Sequence, residues 1–294
     1  MLVFASQLIK QPLNSIPITM KANPMPSPSV DHTRIAIAEV TIFSLIQLVQ
    51  FVTRFMQEWK YWHHRRERSV RRCVLYSWFG MLGFLAQLRI AGSAMAIAVS
   101  NPSKSVWTAE IILQSIGLSP LLFEVSLVLL RSGQAGGRGP GNTRYPKHLR
   151  FLLHAFRFPV IISLVCAVVG ETMDISACRD IGSGVFVITF AFIIGLVLWI
   201  AVAYRTVLPR NGRRVVMLVL ATMPFLAVRI AYFLLGEFGS EEFNALTGKE
   251  GIKVGMGLLM EIIATVLLLL SRGTMEPFPS KDLHAEELER DDRP

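Results

Sequence analysis

Charged side chains are scarce in this sequence of 294 residues, since Asp, Glu, Lys and Arg make up only 17% of it. Soluble domains carry roughly 25% charged residues. A chain with so little charge cannot cover a globular surface with solvated groups, which argues against a soluble protein. Apolar residues make up 52% and the mean hydropathy is +0.47. These values indicate an integral membrane protein.

Cysteine and the common enzyme motifs are also scarce or missing. The three cysteines, Cys73, Cys166 and Cys178, show no CxxC or paired spacing, so the sequence supports neither a disulfide framework nor a thiolate metal site. The segment GGRGPG lacks the flanking strand, helix and GKS or GKT of a phosphate-binding loop. There is no G-x-S-x-G elbow and no HExxH. We therefore expect no metal ion and no cofactor.

Seven apolar runs are each long enough to cross a bilayer as a helix, which takes about 20 residues. They cover residues 35–56, 74–99, 108–130, 151–170, 181–204, 215–235 and 252–270. The predicted fold class is all-α: a polytopic bundle of seven transmembrane helices over 35–270. Residues 1–34 are predicted to be a flexible N-terminal tail, and 271–294 a disordered cytosolic tail.

Basic residues predict the orientation of this bundle. Twenty of the 30 Lys and Arg residues fall on one side of the alternating runs, and seven fall on the other. Basic loops stay in the cytosol, so the N-terminus is predicted outside and the C-terminus inside. The net charge of +9 is spread over these loops, which excludes nucleic acid as a partner and favours anionic lipid at the cytosolic face.

Polar side chains within the apolar runs form two layers when depth is counted at about 1.5 Å per residue. The predicted inner layer is an ion pair of Glu124 with Arg157. The predicted outer layer comprises Glu39, Arg89, Glu110, Gln114, Arg229 and Glu261. Charged groups at bilayer depth face inward and pair, or serve a function. Structural pairing, ligand contact and proton chemistry are therefore all open for these residues.

Five segments form a pattern that resembles a known family: IAEVTIF, LRIAGS, AEIILQSIGLSPLLFEVSLVLLR, MPFLAVRIAYFLL and MGLLMEIIATVLLLL. The pattern is similar to that of a fungal family of seven-transmembrane integral membrane proteins of unknown function, an uncharacterised domain family, over about residues 34–273. The resemblance implies a fungal source and seven helices but no established reaction. Members of the family sometimes lie beside secondary-metabolite genes. Lipid-translocating exporters and integral-membrane terpene cyclases resemble it only in outline.

Three functions are compatible with these features. The first hypothesis is a non-enzymatic protein that binds, senses or moves a lipophilic small molecule or lipid, with the outer layer as its lining. The second is a terpene-cyclase-like enzyme of secondary metabolism, in which Glu261 and Glu124 are the candidate acids. The third is a seven-helix receptor, which only the topology suggests. The expected location is the endoplasmic reticulum or the plasma membrane, and the oligomeric state is left open.

Overall fold

A computed structural model of the chain describes residues 30–64, 70–78, 80–98, 109, 112–113, 116–133, 145–173, 175–204, 207–238 and 250–275. All regular structure within these ranges is helical. The first helices are α1 (Val30–His64), α2 (Val70–Trp78), α3 (Met81–Ala98), α4 (Leu118–Ser132) and α5 (Lys147–Ala155). They are followed by α6 (Arg157–Met173), α7 (Ser176–Ala203) and α8 (Arg210–Phe238). The last segment runs without a break through α9 (Glu250–Ile252), a π-helix (Lys253–Leu259) and α10 (Met260–Gly273).

Six helical segments in the described ranges are long and apolar enough to cross a membrane. They are Thr33–Trp59, Met81–Ala98, Lys147–Gly170, Ser176–Ala203, Arg210–Phe238 and Lys253–Gly273. The all-helical, multi-pass character predicted from the sequence is thereby confirmed. The third predicted span, 108–130, lies partly outside the described residues, and α4 covers its second half. Seven spans and their orientation stay predictions.

The distribution of side chains is inverted relative to that of a soluble protein. Val202, Phe151 and Ile188 are 78%, 73% and 71% exposed, whereas the carboxylates of Glu124 and Glu261 are fully buried. An apolar exterior is costly in water but favourable against lipid tails, and a buried charge is tolerated only with partners. The surface of the bundle is therefore suited to a hydrocarbon environment.

Both ends of the predicted helical domain are longer in the structure. Helix α1 begins at Val30, so residues 30–34 of the predicted N-terminal tail are helical. Helix α10 ends at Gly273, three residues into the predicted C-terminal tail. The rest of both tails lies outside the described residues.

Two predicted spans are interrupted in the structure. The run 74–99 divides into α2 and α3, with Gly80 between them, where a side chain would collide with those of Gln50 and Arg54 on α1. The run 151–170 divides at Phe156, between α5 and α6. The proline at 159 explains this second break, because it has no N–H to donate to the carbonyl of Ala155 and its ring crowds that carbonyl.

Helix α4 lies at the centre of the bundle. It packs against α3 and α8 and also contacts α5, α6 and α10. Three long pairs surround it: α1 with α3, α6 with α7, and α8 with α10. A residue on α4 can therefore face any of several helices, and its position along the helix decides which.

The C-terminal end of α4 is tied to the start of α5 by a buried hydrogen bond. The hydroxyl groups of Ser132 and Tyr145 are 2.7 Å apart, and the Tyr145 ring covers Gly133. Burial raises the pKa of the Tyr145 phenol to about 12, because the phenolate would be poorly solvated there. The hydroxyl therefore remains a neutral hydrogen-bonding group over the whole physiological range.

Glycines allow α6 and α7 to approach closely. A Cβ atom at Gly182 of α7 would lie 3.0 Å from the Ala167 nitrogen and 3.2 Å from the Ser163 carbonyl oxygen. The Ser163 hydroxyl donates to the Gly182 carbonyl at 2.6 Å. A Cβ atom at Gly184, two residues further along, would meet no atom within 4 Å. The two glycines of one helix thus differ in their surroundings.

We predict that Gly182→Val destabilises the protein by about 1–3 kcal/mol through overpacking against the α6 backbone. Gly184→Val is the matched control, since it changes helix propensity equally but enters open space. Thermal unfolding in detergent measures both. Equal melting temperatures for the two variants would contradict the α6–α7 contact.

Candidate functional site

The outer cluster is a buried carboxylate shared by two guanidinium groups from different helices. Arg89 of α3 donates from Nε to Glu261 Oε1 at 2.6 Å and from Nη2 to Oε2. Arg229 of α8 donates from Nε to the same Oε2 at 3.2 Å. Glu261 belongs to the first turn of α10 and is fully buried, and the two arginines are only 4% and 6% exposed. The cluster therefore joins α3, α8 and α10 inside the apolar bundle.

Small residues allow the backbone to approach this cluster. A Cβ atom on Gly117, just before α4, would lie 3.1 Å from Glu261 Oε1 and 3.2 Å from Arg89 Nη2. Gly257, one turn before Glu261 in the π-helix, faces the ring of Tyr232. The Arg229 guanidinium lies over that same ring, 5.4 Å from its centroid. The cluster is thus enclosed by α4 on one side and by an aromatic ring on another.

Glu39 of α1 completes the charge balance of this layer. It is 4% exposed, accepts a hydrogen bond from the Ser93 hydroxyl at 2.5 Å and acts electrostatically on Arg89. Glu39 and Glu261 thus give this layer two carboxyl groups beside two guanidinium groups. A balanced set of charges is less costly to bury than a single excess charge.

The structure brings together four of the six residues predicted for the outer layer: Glu39, Arg89, Arg229 and Glu261. Glu110 and Gln114 lie outside the described residues. Their place in the layer stays a prediction.

The predicted ion pair of Glu124 with Arg157 is wrong. Glu124 forms its ion pair with Arg272 of α10, and both side chains are almost completely buried. Arg157 instead donates from Nε to the Ser126 hydroxyl at 3.2 Å. Arg157 begins α6, beyond the break at Phe156, whereas the contact between α4 and α10 brings the last turn of α10 to Glu124.

Further cations surround this inner cluster. Arg54 of α1 and Arg131 of α4 both act electrostatically on Glu124 and Arg272. The Gln57 amide donates to the Arg272 carbonyl at 3.1 Å. Arg54, Arg131 and Arg272, three of the twenty basic residues predicted on the cytosolic side, thus lie in helices around one carboxylate.

Sequence reasoning missed Arg272 because the apolar run ends at Leu270 and the polar residues after it were assigned to the tail. The spacing between Glu261 and Arg272 in the sequence did indicate that Arg272 faces the interior of the bundle. Arg272 follows Glu261 by 11 residues, which at 100° per residue places both on the same face of a helix. Thr265 and Leu268 lie on that face between them and are fully buried.

A cleft of about 540 Å³, counted up to its open mouth, lies between α4, α6, α7 and α8. Its walls are mostly aliphatic and aromatic, with Leu164, Phe186 and Phe233 among them. Apolar walls with few polar groups are typical of small-molecule sites. Of the predicted ligand-lining residues that the structure describes, namely Glu39, Arg89, Arg229 and Glu261, none lines this cleft.

One ion pair stands in the lining of the cleft. Arg179 Nε lies 2.5 Å from Glu237 Oε1, and the two side chains are 35% and 8% exposed. Arg179 is the fourth residue of α7 and Glu237 is one residue from the end of α8, so the pair lies near the ends of these two helices. Arg179 falls between the predicted spans 151–170 and 181–204, and Glu237 lies just beyond the span 215–235, so neither was a predicted site residue.

The start of α4 separates the cleft from the outer cluster. Ile116, Leu118 and Ser119 line the cleft. Gly117, between them, faces Glu261 and Arg89. Consecutive residues of a helix point about 100° apart, so residues of this one turn contact both the cleft and the outer cluster. In the described part of the chain, no three His, Cys, Asp or Glu side chains are grouped so as to hold a metal ion.

Comparison with known proteins gives one family. The profile of a family described as a domain of unknown function (DUF7702) matches residues 31–276. No curated protein and no solved structure matches the chain.

A double-mutant cycle tests the corrected inner pair. We predict that Glu124→Gln and Arg272→Met couple by about 1–3 kcal/mol, because each change alone leaves a buried charge without its partner. Glu124→Gln with Arg157→Met is the control cycle and should couple by less than about 0.5 kcal/mol. Thermal unfolding of the six proteins in detergent gives both values. Larger coupling to Arg157 would restore the pairing predicted from the sequence.

Proposed function

The chain belongs to the DUF7702 family, whose function is unknown, and we propose that it is a membrane protein that binds a lipophilic small molecule in the cleft between α4, α6, α7 and α8. The observation that carries the proposal is the cleft itself: apolar walls from four helices, with one ion pair at its edge. An apolar ligand gains free energy by burying its surface there, and the ion pair supplies a polar contact that fixes its orientation.

The outer cluster has a stabilising role in this proposal. Glu261 already accepts hydrogen bonds from two guanidinium groups, and Gly117 lies against the same atoms. A ligand would have to displace these partners to reach the carboxylate. The predicted role of Glu39, Arg89, Arg229 and Glu261 as a ligand lining therefore has less support than structural pairing. The same role for Glu110 and Gln114 stays a prediction.

The alternative of acid catalysis has less support for a related reason. A carboxyl group donates a proton when its surroundings favour the neutral form. The candidate acids Glu261 and Glu124 are both paired with arginine, which favours the ionised form. No observation on the described residues specifically favours the alternative that the protein is a seven-helix receptor.

We also propose seven spans with the N-terminus outside and the C-terminus cytosolic, as the excess of basic residues on one side favours. Three of those residues, Arg54, Arg131 and Arg272, join the inner cluster, yet removing them leaves 17 on the cytosolic side against seven. The fungal source, the link to secondary metabolism and the choice between endoplasmic reticulum and plasma membrane stay predictions.

Single cysteines test the orientation. In a variant with Cys73, Cys166 and Cys178 replaced by alanine, Asn244→Cys should react with a membrane-impermeant maleimide on sealed cells or correctly oriented vesicles. Asn142→Cys should react only after permeabilisation, because the positive-inside rule places its basic loop in the cytosol. The reverse pattern would invert the topology, and labelling of both positions on the same side would exclude the seven-span arrangement.

Filling the cleft tests the proposed binding. The probe is adamantyl diazirine, an apolar photoreactive molecule without a head group, applied to the protein in nanodiscs. We expect it to label Leu164 and Phe186 by burying its surface in the cleft. Ala167→Trp should reduce this labelling about tenfold or more, equivalent to a loss of about 1.4 kcal/mol of binding free energy.

Val165→Trp is the matched control, because Val165 lies on the same helix and is 53% exposed. It should leave the labelling unchanged. Ile116→Trp fills the cleft from the opposite wall and serves if Ala167→Trp does not fold. Equal labelling of the wild type and a folded filling variant would overturn the proposal.

A further inference from the structure

We propose that the ligand of the cleft is an uncharged amphiphile with a hydroxyl head group, which accepts a hydrogen bond from Arg179 and donates one to Glu237. The inference rests on the proposed function, since it identifies the class of molecule that the same cleft takes. It follows from the charges at the edge of the cleft and from their position along the helices.

The edge of the cleft offers a donor and an acceptor side by side. The Arg179 side chain is 35% exposed, and both Arg179 and Glu237 belong to the lining of the cleft. An arginine side chain only donates hydrogen bonds, whereas an ionised carboxylate only accepts them. A hydroxyl group does both with a single oxygen atom. It therefore matches the pair without breaking it.

An anionic head group fits this edge poorly. The two side-chain atoms are 2.5 Å apart, so a carboxylate or phosphate bound to Arg179 would lie close to Glu237. Like charges repel strongly where the surroundings are apolar, because the effective dielectric constant is low. An ammonium group bound to Glu237 would meet Arg179 in the same way. The pair therefore disfavours charged ligands of either sign.

A head group that lacks a hydrogen-bond donor fits less well than a hydroxyl. An ether oxygen can accept from Arg179 but gives Glu237 nothing, and a hydrocarbon satisfies neither. A hydrogen bond to a charged group contributes more than one between neutral groups. The edge of the cleft is therefore expected to select alcohols over ethers of the same length.

The position of the pair gives the ligand an orientation. Arg179 and Glu237 lie near the helix ends at one membrane surface. Phe186 lines the cleft seven residues further along α7, about 10 Å deeper at the usual helical rise. The head group would thus lie near the membrane surface and the apolar tail would extend towards the middle of the bundle, as an amphiphile also lies in a bilayer.

Competition against the adamantyl diazirine probe tests this class of ligand. The competitors are 1-dodecanol, dodecanoate at a pH that keeps it ionised, and dodecyl methyl ether, each corrected for its measured partition into the nanodisc. We expect 1-dodecanol to compete roughly tenfold or more better than the ether, for the loss of one hydrogen bond to a charged group, and better than dodecanoate. Equal competition by the alcohol and the ether, or stronger competition by dodecanoate, would overturn the inference.

Variants of the pair give a second, independent readout. Glu237→Gln removes the negative charge and should shift the preference from 1-dodecanol towards dodecanoate. Arg179→Met combined with Glu237→Gln should abolish the difference between alcohol and ether. An unchanged order of competitors in both folded variants would contradict a role for the pair.

The two proposals fail in different ways. Should the probe fail to label the cleft of the wild type, the proposed function itself is wrong. Should the probe label the cleft but the competitors show no preference for the alcohol, only the class of ligand is wrong.

Discussion

The arrangement of the bundle depends on the ion pairs that the buried carboxylate of Glu261 forms with two arginines. This carboxylate binds the guanidinium groups of Arg89 and Arg229, so a single residue of α10 fixes the positions of α3 and α8. Each of these charges alone would be costly among apolar side chains, and removal of one leaves the others without a partner. Packing between apolar side chains depends weakly on direction, whereas the hydrogen bonds of this cluster form in only a few geometries. The cluster therefore selects one arrangement of helices among many that bury similar apolar area.

A second ionic cluster, further along α4 and α10, restricts the arrangement of the helices in the same way. Glu124 and Arg272 join α4 to α10, and Gly117 joins the start of α4 to the outer cluster. Gly117, Glu124 and Arg131 follow one another at seven-residue spacing, so they lie on one face of α4. That face meets both layers, about 10 Å apart at the helical rise. Two contacts at different depths fix the tilt and the rotation of α4, which one contact could not do.

The position of each charged residue along its helix was predictable from the sequence, whereas its ion-pair partner was predictable only for some residues. Counting residues placed Glu39, Arg89, Arg229 and Glu261 in one layer, and the structure brings them together. The same counting paired Glu124 with Arg157 because it contains no information about which helices are neighbours or how each is rotated. It also ended the last helix at Leu270, which removed Arg272 from consideration. The ion pair of Arg179 with Glu237 was not predicted because charged residues near helix ends look like loop residues in the sequence. The packing of α7 against α8 brings the two side chains together.

The ionic clusters and the cleft have different proposed roles because the carboxylates of Glu261 and Glu124 are paired differently from that of Glu237. Glu261 and Glu124 are buried between helices with arginines as partners, an arrangement that stabilises the folded bundle but leaves little capacity for a ligand. Glu237 is paired as well, but with an arginine that is 35% exposed at the edge of an open cleft. In the proposed binding mode, a ligand approaches that pair without breaking it. Ile116 and Leu118 line the cleft while Gly117 faces the outer cluster, so the turn that leads into α4 contacts the cluster and also forms a wall of the proposed binding site. Stability and the proposed binding are therefore expected to change separately, because neighbouring residues contact the ionic cluster and the cleft on opposite sides.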